Sequence, residues 1–159
     1  MKKTWIVAAT MVVVVALSTA IVILYQQKSR ADVLDAARSA ALGAAKDRLT
    51  QLLSYDYHTL DHDLEAARSD TTGAFHDEFS DLTRRVVAPA ARDQQIVTKT
   101  TVAGSSVVSA QPEQVVLLMF LDQVTQTKSD PASRVDGARV RVTLRQVDGQ
   151  WLVAELTPL

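Results

Sequence analysis

Three groups of residues in this 159-residue chain have the types and spacing that chemistry or recognition would need. The first is Tyr55-Asp56-Tyr57, a carboxylate between two phenols. Inside a cavity, a carboxylate can abstract a proton while a tyrosine hydroxyl steadies the oxyanion that forms. The simpler reading is preferred: the tyrosines pack at a helix end and Asp56 caps the turn. The second group is His58 and His62, four apart, with Asp61 and Asp63 alongside. On a helix that spacing puts two imidazoles on one face, as metalloprotease helices require. Thr59, however, stands where such a helix carries its general-base glutamate. A capped, solvated helix start accounts for these residues, and His76 beside Asp77 and Glu78 reads the same way. The third group is Arg139, Arg141 and Arg145, which share one face of a strictly alternating run whose other face is Val140, Val142 and Leu144. Such a basic stripe suits an acidic partner or anionic lipid head groups. Carboxylates across the strands are its commoner fate. These arginines are the candidate partner interface, and Tyr55, Asp56 and Tyr57 the candidate polar groups of a cavity. No catalytic residue, metal site or cofactor site is assigned. Nucleophile elbows and phosphate loops do not occur, and the lack of cysteine excludes thiol chemistry, disulfides and cysteine-ligated zinc.

The elements that position these residues begin with an uncharged run, Trp5 to Tyr25. As a helix it would span about 31 Å, the thickness of a bilayer's hydrocarbon core. Trp5 and Tyr25 sit at its ends, where amphipathic rings favour the headgroup region, and Lys2, Lys3, Lys28 and Arg30 lie just outside. A cleaved signal peptide is the rival reading, because Ser18-Thr19-Ala20 resembles a cleavage site. The apolar run continues past it through Ile21–Tyr25, which suits an uncleaved anchor. Basic residues balance across the span, so charge does not orient it. A short tail before the span and a domain after it place the N-terminus in the cytoplasm and the domain outside. Residues 1–30 therefore read as a signal anchor with its flanks, and residues 31–159 as one extracytoplasmic domain with a core of its own. The chain carries 17 Lys plus Arg against 18 Asp plus Glu, so nothing points to nucleic acid.

Within the domain, Val33, Ala37, Ala41, Ala45, Leu49 and Leu52 mark one face of an Ala-rich helix. After an interruption at 54–58, Thr59 is a plausible N-cap for a short helix with Leu60, Leu64 and Ala67 inward. A third helix steps through Phe75, Phe79, Leu82 and Val86, and Pro89 ends or kinks it. From Ile96 the chain turns to β. Ile96–Ser109 carries a bulge or bend at Gly104-Ser105-Ser106. Val115–Leu121 reads as a central strand buried on both faces, and 127–136 as a loop. Asp148-Gly149 joins the last two strands, with Trp151 packed against Val140 or Val142. Three helices on a curved antiparallel sheet of about four strands make an α+β, cone-shaped domain of nuclear transport factor 2-like architecture.

Several motifs, weak singly but specific in order and spacing, carry a resemblance over nearly the whole chain. They are the anchor and Ala-rich helix, Leu53-Ser54-Tyr55-Asp56-Tyr57-His58-Thr59-Leu60-Asp61, Thr72-Gly73-Ala74-Phe75-His76-Asp77-Glu78-Phe79, Val86-Val87-Ala88-Pro89-Ala90, and Val147–Val153 followed by Thr157-Pro158. Together they resemble the actinobacterial Mce-associated membrane proteins. The resemblance implies a single-pass membrane protein beside Mce lipid-transfer subunits, with an outer domain similar to VirB-type scaffold subunits of type IV secretion systems. The function expected is a non-enzymatic accessory subunit that stabilises an Mce-type importer of sterol or fatty acid. The alternative is a module that holds a lipid in the cone cavity, and behind it an enzyme of the isomerase or dehydratase type. The anchor makes a direct prediction. The protein stays in the membrane pellet through an alkaline carbonate wash and retains Met1 or Lys2; a mature form beginning near Ile21 contradicts it.

Overall fold

A computed structural model describes the backbone of residues 2–130 and 132–159, and side chains from Tyr25 onward except at position 131. Two units partition the chain, residues 1–36 and residues 37–159. Helix α1 is Lys2–Leu52. The expected anchor, Trp5–Tyr25, falls almost wholly on residues whose side chains lie outside the described ones. Among the described residues, no helix is long and apolar enough to cross a membrane.

The second unit follows the helical and β periodicities of its sequence. Strand β1 is only Tyr55–Asp56, and α2 is Leu60–Ser69. Helix α3, Gly73–Leu82, runs into a π-helical turn at Thr83–Val87 and then α4, Ala88–Gln94. Strands β2 (Val97–Gln111), β3 (Gln114–Gln126), β4 (Arg134–Val147) and β5 (Gln150–Pro158) complete an antiparallel sheet in the order β1-β2-β3-β4-β5. The domain is α+β, as expected. It has five strands because the interruption after α1 pairs with the start of β2, Tyr55 to Thr98 and Asp56 to Val97.

One face of the sheet holds the core. Ala37, Ala41, Ala45, Leu49 and Leu52 of α1 are buried together with Val115, Leu117, Met119 and Leu121 of β3 and Val140, Val142 and Leu144 of β4. Trp151 and Val153 of β5 complete the cluster. Each large apolar side chain enclosed in this way contributes about 1.5–3 kcal/mol. The alanine stripe lets the helix backbone approach the strands closely, and alanine is also the strongest helix former. Asp70, at the end of α2, adds a polar tie. Its carboxylate pairs with Arg48 of α1, and its carbonyl accepts the Val153 N–H at 2.9 Å. Burial pushes the Asp70 carboxyl up, and the guanidinium of Arg48 opposes that shift.

Five expectations need correction. Leu82 and Val86, read as inward-facing, are 53% and 57% exposed. The wide turn at Thr83–Val87 shifts the helical register so that Thr83 takes the buried position, its Oγ1 donating to the Phe79 carbonyl at 2.8 Å. Pro89 cannot donate to the Arg85 carbonyl, so the regular ladder gives way here, and the proline then sits in the first turn of α4, where it is tolerated. Val33, the first residue of the α1 stripe, is exposed. Strand β3 is buried on one face only: Val116 and Leu118 are half-buried and Phe120 is 40% exposed, because the core cluster, among the described residues, gathers on the face of Val115, Leu117, Met119 and Leu121. The loop before β4 is shorter than expected, since pairing with β3 begins at Arg134.

The last correction concerns the final hairpin. Asp148 (φ 50°) and Gly149 (φ 80°) form its turn, both with positive φ as a two-residue type I′ connection requires. The resulting register sets Trp151 opposite Gln146 and two residue pairs from Leu144, not beside Val140 or Val142, which pair with Pro158 and Leu156. Trp151 is nonetheless buried in the core cluster. Trp151→Ala is expected to cost about 3–5 kcal/mol of stability in urea unfolding, as large-to-small core changes do. A loss below about 1 kcal/mol would contradict its place in the core.

Candidate functional site

The side of the sheet that α1 does not cover is a patterned surface. Strict registry aligns its residues in rows across the strands. Gly104, Phe120 and Arg139 form one row, and Ser106, Leu118, Arg141 and Thr157 the next. Ser109, Val116, Thr143 and Glu155 follow, then Gln111, Gln114, Arg145 and Leu152. Along the strands this gives an apolar file, Val116-Leu118-Phe120, beside a basic file, Arg139-Arg141-Arg145. On the β2 side the file is of small residues. A Cβ added at Gly104 would meet the Phe120 ring at 3.6 Å, so the ring leans over the glycine.

The three arginines sit on this face, and all are exposed. None has a carboxylate directly across the strands. Arg145 Nε donates to Gln114 Oε1 at 3.1 Å, and no side-chain partner meets Arg139 or Arg141 among the described residues. Two acids lie on the face: Glu155 accepts from Thr143 Oγ1 at 3.3 Å and from Thr157 Oγ1, and Asp122, diagonal to Arg139 in the register, is exposed. The face thus offers guanidinium charge next to apolar surface, the combination that recognises an acidic partner carrying apolar side chains. Reading the sequence missed the apolar file. The signal was present: Val116, Leu118 and Phe120 alternate with Val115, Leu117, Met119 and Leu121, and only the register with the arginines shows which set faces out.

Tyr55 and Asp56 line a different feature, an open cleft of about 560 Å³ between the end of α1, α2 and the start of β2. Its other polar groups include Asp47, His62, Asp63 and Lys99. The Asp56 carboxylate accepts from the His58 backbone N–H at 2.9 Å and lies 2.7 Å from His58 Nδ1. The backbone bond first, and then the ring, hold its carboxyl below the usual range. Tyr57 stacks on His58, ring centroids 3.8 Å apart. Asp56 is therefore engaged in its own turn, as a capping residue would be. His58 precedes α2 and His62 lies within it, so the two imidazoles do not share a helix face. Among the described residues no cluster of His, Cys, Asp or Glu could hold a metal ion. His76 Nδ1 sits 3.0 Å from Thr71 Oγ1, which itself donates to the Arg68 carbonyl. That order makes Nδ1 the protonated nitrogen and the ring a structural link between α2 and α3.

Comparison with known proteins places this geometry in a wider set. An "Outer membrane protein Rv1973" of Mycobacterium tuberculosis is 42% identical over 123 residues, 77% of this chain and 76% of that protein. An IcmL-like type IV secretion system protein of Legionella pneumophila superposes with a TM-score of 0.64 at 13% identity, over 77% of this chain and 92% of that one. The VirB8 protein of Agrobacterium tumefaciens does so with a TM-score of 0.52 at 11% identity, over 78% and 90%. The expected likeness to VirB-type scaffold subunits is thus found at the level of fold. At the level of sequence, residues 3–157 match one family, and the chain belongs to it: the family described as uncharacterized protein Rv1363c/MT1408-like.

Proposed function

We propose that this protein is a non-catalytic accessory subunit of the cell envelope, held in the membrane by Trp5–Tyr25 with its VirB8-like domain outside. The outer sheet face carries the reading: exposed arginines without carboxylate partners lie beside Val116, Leu118 and Phe120 on a sheet whose other face is filled. Core side chains occupy the concave side, where isomerases of related shape hold substrate. Asp56 is engaged in its own turn, and Tyr57 stacks on His58. A chain built this way binds rather than reacts. The outer membrane name of a relative and the secretion-system scaffolds that share the fold support an envelope location.

The assembly proposed is an Mce-type lipid-import complex, a choice that rests on the motif resemblance. One span and a compact domain supply no ATP-binding loop, so such a subunit moves no substrate alone. Confinement to the membrane surface raises its effective concentration for neighbouring subunits. Deleting the protein is expected to lower the abundance of Mce subunits and the uptake of their sterol or fatty acid. Reversing Arg139, Arg141 and Arg145 to Glu together is expected to weaken co-purification from native membranes, while His58→Ala and His62→Ala leave it unchanged. Unchanged Mce abundance and uptake in a clean deletion, with nothing co-purifying, would refute the role.

A further inference from the structure

The apolar file Val116-Leu118-Phe120 stands on β3, which is paired on both sides, with β2 at residues 104–109 and with β4 at residues 139–143. Whatever lies over the file therefore finds no free main-chain group on β3 to bond. An extended segment would bury N–H and C=O groups of its own without partners, whereas a helix closes those bonds internally. Strand β3 already takes a helix on its other side, where Ala41, Ala45 and Leu49 of α1 join Leu117 and Met119 in the core. The outer file repeats at every second residue, about 6.8 Å, close to the roughly 6 Å between residues four apart on a helix.

The strands flanking β3 differ in what they present. On β2 the outward residues are Gly104, Ser106 and Ser109, all small, and both serines are exposed. On β4 they include Arg139, Arg141 and Arg145, also exposed. A helix about 10 Å wide spans three strands about 4.8 Å apart. Seated over β3, it lays one flank on the small file and the other on the guanidiniums. The two acids of the face stand at the border of that footprint. Asp122 follows Phe120 in the alternation of β3 and closes the apolar file at a length of about 14 Å. Glu155 is on β5, across from Thr143. Among the described residues neither acid is ion-paired. An anionic bilayer would press head groups onto both carboxylates, whereas a helix sets its acids over the arginines alone.

We propose that the outer sheet face is a helix-docking site, where an amphipathic helix of a partner subunit lies along β3. Its apolar stripe covers Val116, Leu118 and Phe120, and an acidic flank lies over Arg139, Arg141 and Arg145. The proposal rests on the accessory-subunit reading and names the form in which that subunit holds its partner. The occupant carries apolar side chains at three- and four-residue spacing, as helices laid on apolar surfaces do. The small residues of β2 admit the helix, and the arginines select the flank that faces β4.

The test uses the full chain in lipid nanodiscs and a labelled helical peptide of about 18 residues. The peptide has leucine at every third or fourth position, glutamate along one flank, and alanine and serine elsewhere. Fluorescence anisotropy, with empty nanodiscs as the reference, reads its binding. The peptide is expected to bind, and versions with a central proline or with lysine in place of glutamate are expected not to. Arg141→Glu is expected to weaken binding about tenfold, near 1.4 kcal/mol. Ser106→Trp, which fills the small file, is expected to abolish it. No binding, or equal binding of the proline or lysine version, overturns helix docking without depending on any protein variant. Protection of Phe120 from hydroxyl radicals by nanodiscs of anionic lipid alone, absent in neutral ones, places a lipid surface there and overturns it. A dimer that Arg141→Glu dissolves places a second copy there and also overturns it. In native membranes, full co-purification of partner subunits with Ser106→Trp overturns helix docking while leaving the accessory role intact. Loss of co-purification from a Ser106→Trp protein that keeps its urea unfolding midpoint supports it. Absence of co-purifying subunits with the unaltered protein overturns the accessory role itself.

Discussion

The contact between the alanine–leucine stripe of α1 and the inner face of β3, β4 and β5 is the constraint on which the rest of the domain depends. A sheet residue has two choices of face, and a strand slipped by one position exchanges them all. With Leu117, Met119, Val142 and Leu144 enclosed against Ala41, Ala45 and Leu49, the alternate positions have no choice left. Leu118, Phe120, Arg139 and Arg141 must face away. Because Ala41 and Ala45 are small and fully buried, the helix backbone can sit close to the strands. Larger residues there would overpack the contact, at about 1–3 kcal/mol each. The filled inner face and the patterned outer face are one arrangement seen from two sides.

This arrangement separates the fold from the chemistry that related shapes support. A cone with an open interior can place a carboxylate and a phenol around a substrate; here the interior is aliphatic, and Asp56 is held in its turn by His58. The outer face combines exposed guanidinium charge with apolar side chains along neighbouring strands.

Much of this was legible in the sequence, because periodicity reports burial directly. The α1 stripe from Ala37, the alternation in 139–145 and the Asp148-Gly149 turn each appear in the structure where their patterns put them. The failures have physical causes. Leu82 and Val86 obey a regular helical period that a π-turn interrupts, and no residue type announces such a turn except Pro89 a few positions on. The run at 115–121 is apolar at every position, so its two faces carry no contrast until β4 supplies the register. Phe120 was misplaced for that reason, and with it the apolar half of the candidate surface. Asp70 hides similarly: it reads as a turn residue, yet it ties α1 to β5 through Arg48 and Val153.

The central claim is that the outer sheet face, and not the exposed helix ridge at Leu82 and Val86, meets the partner. Hydroxyl-radical footprinting of the side chains tests it most directly, comparing the purified full-length protein with the same protein in native membranes. Phe120 and Leu118 are expected to react in the purified protein and to be shielded in the membrane, while Leu82 and Val86 react equally in both. Equal reactivity of Phe120 in the two states, with shielding at Leu82 and Val86 instead, would contradict the account.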